Sequence, residues 1–155
     1  GGALSYDELL VAIPSLPGPR VTIPQIWVDS AASMAGGREL WGIPKQLAEF
    51  SRTATTHGVT MAMSTVAMST VASIDARYGR RLVPGMPRLP LTTLQVLDGR
   101  RTLAHNHVTG KLSALSAEWN FPSDGPLGYL AHRKPFASFA IRDASIIFGM
   151  DVQRS

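Results

Sequence analysis

The chain has 155 residues, 45% of them hydrophobic and 17% charged, which supplies one folded core and excludes an intrinsically disordered chain. Its formal net charge of +4 is not gathered into a basic stripe: Arg77, Arg80, Arg81, Arg88, Arg100 and Arg101 punctuate expected turns, so no nucleic-acid partner is expected. No apolar run is long enough to cross a membrane, no leader pattern is visible and there is no cysteine, so neither a membrane span nor a disulfide framework is expected and the expected setting is cytoplasmic.

Most of the chain reads as short strands. Residues 8–13 form an apolar run closed by Pro14 and a turn at Pro17-Gly18-Pro19. Residues 21–28 resume the run, with Pro24 predicting an edge or a bulge because proline cannot donate to a ladder. Ser30 is a helix cap for a short helix over 31–35, which Gly36-Gly37 should end or kink. Residues 47–56 and 59–64 predict a hairpin turning at His57-Gly58, and 71–78 continue the sheet. A proline-rich loop covers 85–90. Strands follow over 91–97, 102–109 and 111–121, the first two joined at Asp98-Gly99, a hairpin signal. A turn at 122–126, one helical turn at 127–131 and a strand or bent strand pair over 136–148 complete the chain. The tandem copies Ala62-Met63-Ser64-Thr65-Val66 and Ala67-Met68-Ser69-Thr70-Val71 have an odd period, which in one continuous strand would flip every side chain to the other face, so a turn or bulge between them is expected. Strands with this much Gly/Pro punctuation favour a barrel or sandwich, mainly β and antiparallel.

The chemistry concentrates in Gly36-Gly37-Arg38-Glu39-Leu40-Trp41-Gly42-Ile43-Pro44-Lys45-Gln46-Leu47. It sets one lysine after a Gly-x-Pro turn among bulky apolar residues. A lysine amine is a nucleophile only when neutral, apolar surroundings penalise an ammonium, and a neutral amine forms Schiff bases with carbonyl substrates.

The stretch resembles the active-site signature of the acetoacetate decarboxylase family, a Gly-Arg-Glu-Leu followed closely by Pro-Lys-Lys-Leu. Here the matching residues are Gly37-Arg38-Glu39-Leu40 and Pro44-Lys45-Gln46-Leu47. Upstream, Tyr6-Asp7-Glu8 matches the family's Tyr-x-Glu, at nearly the family's separation from the lysine. The resemblance implies a cone-shaped, mainly antiparallel β-barrel with a few short helices and the site inside it. It implies that Lys45 forms the Schiff base with no cofactor and no metal, and that Glu8 is an active-site carboxylate acting as general acid and base. Arg38, Gln46, Tyr6 and Trp41 are the candidate substrate-binding residues, and the implied partners are a small keto acid and further copies of the chain, as a homo-oligomer. In the family one or two strands precede the Tyr-x-Glu motif; the expectation is a single such domain over 1–155 that lacks those N-terminal strands.

The departure is Gln46. A second ammonium beside the nucleophile helps keep it neutral, the arrangement attributed to acetoacetate decarboxylase itself, and an uncharged Gln46 does not supply one. Chemistry therefore stays open between decarboxylation and an aldol or dehydration step. The alternative is a non-catalytic β-barrel that binds a small hydrophobic carboxylate and keeps the lysine as a relic. His105 and His107 would share one strand face, a spacing that can hold a metal, but no third ligand lies near in sequence.

Overall fold

The computed structural model describes residues 4–16, 18 and 20–155; Pro17 and Pro19 of the first expected turn lie outside the described residues. Eight strands form one hydrogen-bonded sheet: β1 (Glu8–Ser15), β2 (Arg20–Val28), β3 (Lys45–Ala54), β4 (Gly58–Thr65), β5 (Thr70–Arg81), β6 (Arg88–Leu97), β7 (Arg100–Asn120) and β8 (Phe139–Arg154). Among the described residues one helix, α1 (Ala31–Trp41), lies between β2 and β3, and one 3-10 turn covers Gly128–Leu130. The mainly-β expectation holds. The chain divides into two compact units, Gly1–Leu47 with Arg88–Thr109 and Ser145–Ser155, and Ala48–Pro87 with Gly110–Ala144.

In the first unit β1 and β2 form an antiparallel hairpin whose register slips between Val11 and Ile13. Val11 faces Gln25 and Ile13 faces Thr22, so Ala12 alone stands against Ile23 and Pro24. Pro24 thus sits in a bulge, one of the two places a strand proline is tolerated; it is not on an edge, because β2 also pairs with β3 and β6. Both of those pairings are parallel, the minority in a mainly antiparallel sheet. For β3 the physical reason is α1, which carries the chain from the end of β2 back to the start of β3, as a parallel neighbour requires.

Ser30 does cap α1: its Oγ accepts from the Ser33 N–H at 3.2 Å. The helix then runs through Gly36-Gly37, where the sequence predicts a stop, to Trp41, and ends at Gly42 with φ 66°, a left-handed conformation glycine adopts without strain. Each helical glycine costs about 1 kcal/mol against alanine. Tertiary packing overrides that cost, because Gly37 is buried against the stem of Lys45. The core of this unit is Ile23, Ile26, Val28 and Ile43, with Tyr6, Leu10, Met34 and Trp41 packed on it. The β6–β7 hairpin turns at Asp98 and Gly99 (φ 51° and 74°), both positive as a type I′ turn demands.

In the second unit β3, β4, β5 and β7 pair antiparallel in that order. Thr55 Oγ1 accepts from the N–H groups of His57 and Gly58, both at 3.1 Å, and so builds the turn expected there. The tandem copies are parted by a turn at 66–69, with Met68 at φ 64° and a register shift at Met63/Ser64. The two strands expected at 102–109 and 111–121 are one, β7, which runs through Gly110 without a break.

Candidate active site around Lys45

Strand register alone brings Lys45 and Glu8 to one face of the first unit. Glu8 stands opposite Val28 across the β1–β2 ladder, and Lys45 stands opposite Ile26 across the β2–β3 ladder. Val28 and Ile26 are two residues apart on one strand, so their side chains and those of their partners share a face. Tyr6, Leu10 and Ala12 follow with the same period. The Pro24 bulge shifts β2 by one residue, which is why Val21 and Ile23 join Ile26 on that face in spite of their odd numbers.

These residues, with Ser33, Leu40 and Trp41 of α1 and Ile146 and Phe148 of β8, line a cavity of about 440 Å³, within the range of small-molecule sites. Its lining is apolar almost throughout, and Glu8 and Lys45 are its two charged members. Lys45 is 5% exposed. Its Nζ donates to Glu8 Oε2 at 2.9 Å and to Ser33 Oγ at 2.8 Å, and lies 5.1 Å from the centre of the Tyr6 ring, within cation–π range. Gly37 makes room for this side chain. A Cβ there would sit 2.7 Å from Lys45 Cδ and 2.9 Å from Cε, closer than carbon atoms approach. The glycine that reads as a helix breaker is the gap through which the lysine stem passes.

The other candidates separate. Trp41 lines the cavity, tilted against Phe148 with ring centres 6.3 Å apart. Arg38 does not line it: its Nε donates to the Lys45 carbonyl at 2.7 Å, fixing the backbone at the start of β3. Gln46 does not line it either. Side chains alternate along a strand, so the residue after a buried lysine points to the opposite face, and Gln46 is exposed in a different concavity with Arg38, Pro44, Val96 and Asp98. A second lysine at position 46 would diverge from Lys45 in the same way. The sequence reading did not single out Ser33, nor Ile146 and Phe148, which come to the cavity from about a hundred residues downstream. Ser33 carried one faint signal, its place three residues after the cap Ser30.

His105 Nδ1 is hydrogen-bonded with Thr92 at 3.1 Å and His107 Nδ1 with Arg88 at 3.0 Å. No group of three His, Cys, Asp or Glu among the described residues could hold a metal ion, and no helix among them is long and apolar enough to cross a membrane.

A family model described as acetoacetate decarboxylase (ADC) matches residues 1–109. The chain belongs to the acetoacetate decarboxylase family. Tyr6, Glu8, Ser33, Arg38, Trp41, Lys45 and Gln46 all fall inside the matched part, whereas Ile146 and Phe148 lie beyond it. No curated protein matches. Among solved structures, one from structural studies of acetoacetate decarboxylase is similar with a TM-score of 0.71 at 18% identity, over 97% of this chain and 68% of that one. The acetoacetate decarboxylase of Legionella pneumophila subsp. pneumophila str. Philadelphia 1 is similar with a TM-score of 0.68 at 17% identity, over 97% and 66%. The chain therefore spans about two thirds of the length of these structures, and at such identities the likeness establishes the acetoacetate decarboxylase-like fold.

Proposed function

We propose that the chain is a cofactor-independent Schiff-base lyase that acts on a small keto acid through Lys45. The observation that carries this reading is the burial of the Lys45 amine in an apolar cavity, against one carboxylate at 2.9 Å. The Glu8 carboxylate takes a proton from Nζ along the hydrogen bond that joins them. The freed amine lone pair attacks the keto carbon, forming the C–N bond as the carbonyl π electrons move to oxygen. One proton passes from nitrogen to that oxygen, Glu8 returns its own, and the oxygen leaves as water. The resulting protonated imine accepts the electron pair of the breaking C–C bond. When that bond is to the carboxylate of a β-keto acid, CO2 leaves and an enamine remains, which takes a proton at carbon; water then hydrolyses the imine and frees the lysine. An aldol step would use the same enamine against a second carbonyl.

Tyr6 and Trp41 contribute shape and apolar contact to the bound acid on this reading, and Arg38 acts through the Lys45 backbone. The resemblance also implies a homo-oligomer, which light scattering coupled to size exclusion reads directly.

The test is reductive trapping. The chain is incubated with a panel of β-keto and α-keto acids, reduced with borohydride and analysed by intact and peptide mass spectrometry, with Lys45→Ala as control. An acid-dependent adduct on Lys45 is the expected result. A folded chain that gives no adduct with any acid overturns the reading in favour of binding without catalysis.

A further inference from the structure

We propose that Ser33 is a third catalytic residue of this site, a hydroxyl that carries a proton from nitrogen to oxygen as the carbinolamine forms. The proposal rests on the Schiff-base reading above. Ser33 is 5% exposed, and its Oγ lies 2.8 Å from Nζ, the atom that attacks. Its position in α1 explains why the hydroxyl is free for this role. It is the third helical residue after the cap, a place from which a capping-box side chain turns back to the cap residue's own N–H. Here one half of that box is present, Ser30 Oγ accepting from the Ser33 backbone N–H, which anchors the first turn, while the Ser33 side chain is directed at the lysine.

At rest Nζ donates to both Glu8 and Ser33, so Ser33 Oγ serves as an acceptor and its own proton remains to be given elsewhere. Attack by the amine places a new oxygen one carbon away from Nζ, next to a hydroxyl already in contact with that nitrogen. The exchange balances within the site. An N–H bond of the new adduct breaks as a proton joins Ser33 Oγ, the original Ser33 proton passes to the substrate oxygen, and Ser33 ends as it began. Glu8, protonated since the first step, supplies the second proton with which that oxygen leaves as water. A direct transfer from nitrogen to oxygen would have to pass through a strained four-membered ring; the serine widens it to six.

The experiment is rapid-quench borohydride trapping with the full chain, acetoacetate and pyruvate serving as the carbonyl probes. Ser33→Ala is expected to slow imine formation by about a hundredfold, the usual size of a positioned proton-transfer group. The apparent Kd from saturation should stay within about twofold of the unaltered chain, and Ser33→Thr, which keeps the hydroxyl, should recover most of the rate. If Ser33→Ala does not fold, as judged by circular dichroism, Ser33→Cys replaces it with an atom of similar size that hydrogen-bonds weakly. Imine formation by the alanine or cysteine variant at the unaltered rate overturns the proposal alone. So does a joint fall of rate, Kd and unfolding midpoint that Ser33→Thr leaves unrescued, which marks a structural serine. Absence of any adduct on the unaltered chain overturns the Schiff-base reading and this one with it.

Discussion

Among the described residues each unit of the chain carries one lysine–carboxylate pair, and the two differ in almost everything except chemistry. In the first unit Lys45 and Glu8 meet at 2.9 Å with side chains 6% and 19% exposed, inside an apolar cavity. In the second, Lys111 and Asp143 meet at 2.6 Å with side chains 47% and 63% exposed. The solvated pair is the shorter. Distance therefore says little about what a pair does: water screens the second and can replace either partner, whereas the first has few other groups to turn to. Burial sets the first pair apart: its two groups face each other in an apolar cavity of small-molecule size, whereas the second pair faces water.

The largest expected break in that contrast is Glu8→Ala. It leaves the deeply buried Lys45 without its carboxylate, and removing one partner of a buried pair typically costs about 3–5 kcal/mol. Because Glu8 is itself partly exposed, we expect the lower end of that range, about 3 kcal/mol in a denaturant titration, with Glu8→Gln well below it because the amide still accepts from Nζ.

Two adjacent glycines sharpen the contrast within the first unit. Gly37→Ala forces a Cβ against the Lys45 stem, and overpacking of this kind costs about 1–3 kcal/mol. Trapping at Lys45 should fall by about tenfold or more, since a misplacement near 1 Å is enough to impair a positioned nucleophile. Gly36→Ala meets open space and should stabilise the chain by about 0.5–1 kcal/mol through helix propensity. Thermal melts and trapping rates on the two variants measure both effects; equal behaviour would break the account of Gly37 as a gap.

A smaller effect is expected at position 46. Gln46→Lys restores the residue type of the family signature but on the face opposite to Lys45, so the rate of imine formation should change by less than about twofold. A large acceleration would mean that charge at this exposed position reaches the amine.

The smallest effect belongs to the solvated pair. The hydrogen bond from Lys111, and then its charge, hold the Asp143 carboxyl below its ordinary value. A carboxyl lowered in the folded state stabilises at pH above its unfolded value, and that contribution disappears as pH falls through the folded value. Asp143→Asn should therefore lower the melting temperature slightly at pH 7 and not at all at pH 2, and added salt should shrink the difference at pH 7.

Legibility in the sequence followed how local each signal was. Ser30 as a cap, Asp98-Gly99 as a turn, the turn between the tandem copies and Pro24 as a bulge were all readable, because each depends on the backbone preferences of one or two residues. Gly36-Gly37 was misread as the end of a helix because propensity knows nothing of the Lys45 side chain that needs the space. Gln46 was read as a neighbour of the nucleophile because adjacency in sequence looks like adjacency in space; on a strand it means the opposite face.

What the sequence by itself determined is the family, through Tyr6-x-Glu8 and the Gly37 to Leu47 signature, the mainly-β character, and Lys45 as the residue on which the proposed chemistry rests. What only the tertiary structure decided is which residues meet Lys45. Glu8 reaches Lys45 through two strand registers, Ser33 through a helix that returns the chain beside β2, and Phe148 through a strand from the far end of the sequence. Such meetings depend on ladder pairing and core packing between distant segments, and no local preference along the chain encodes them.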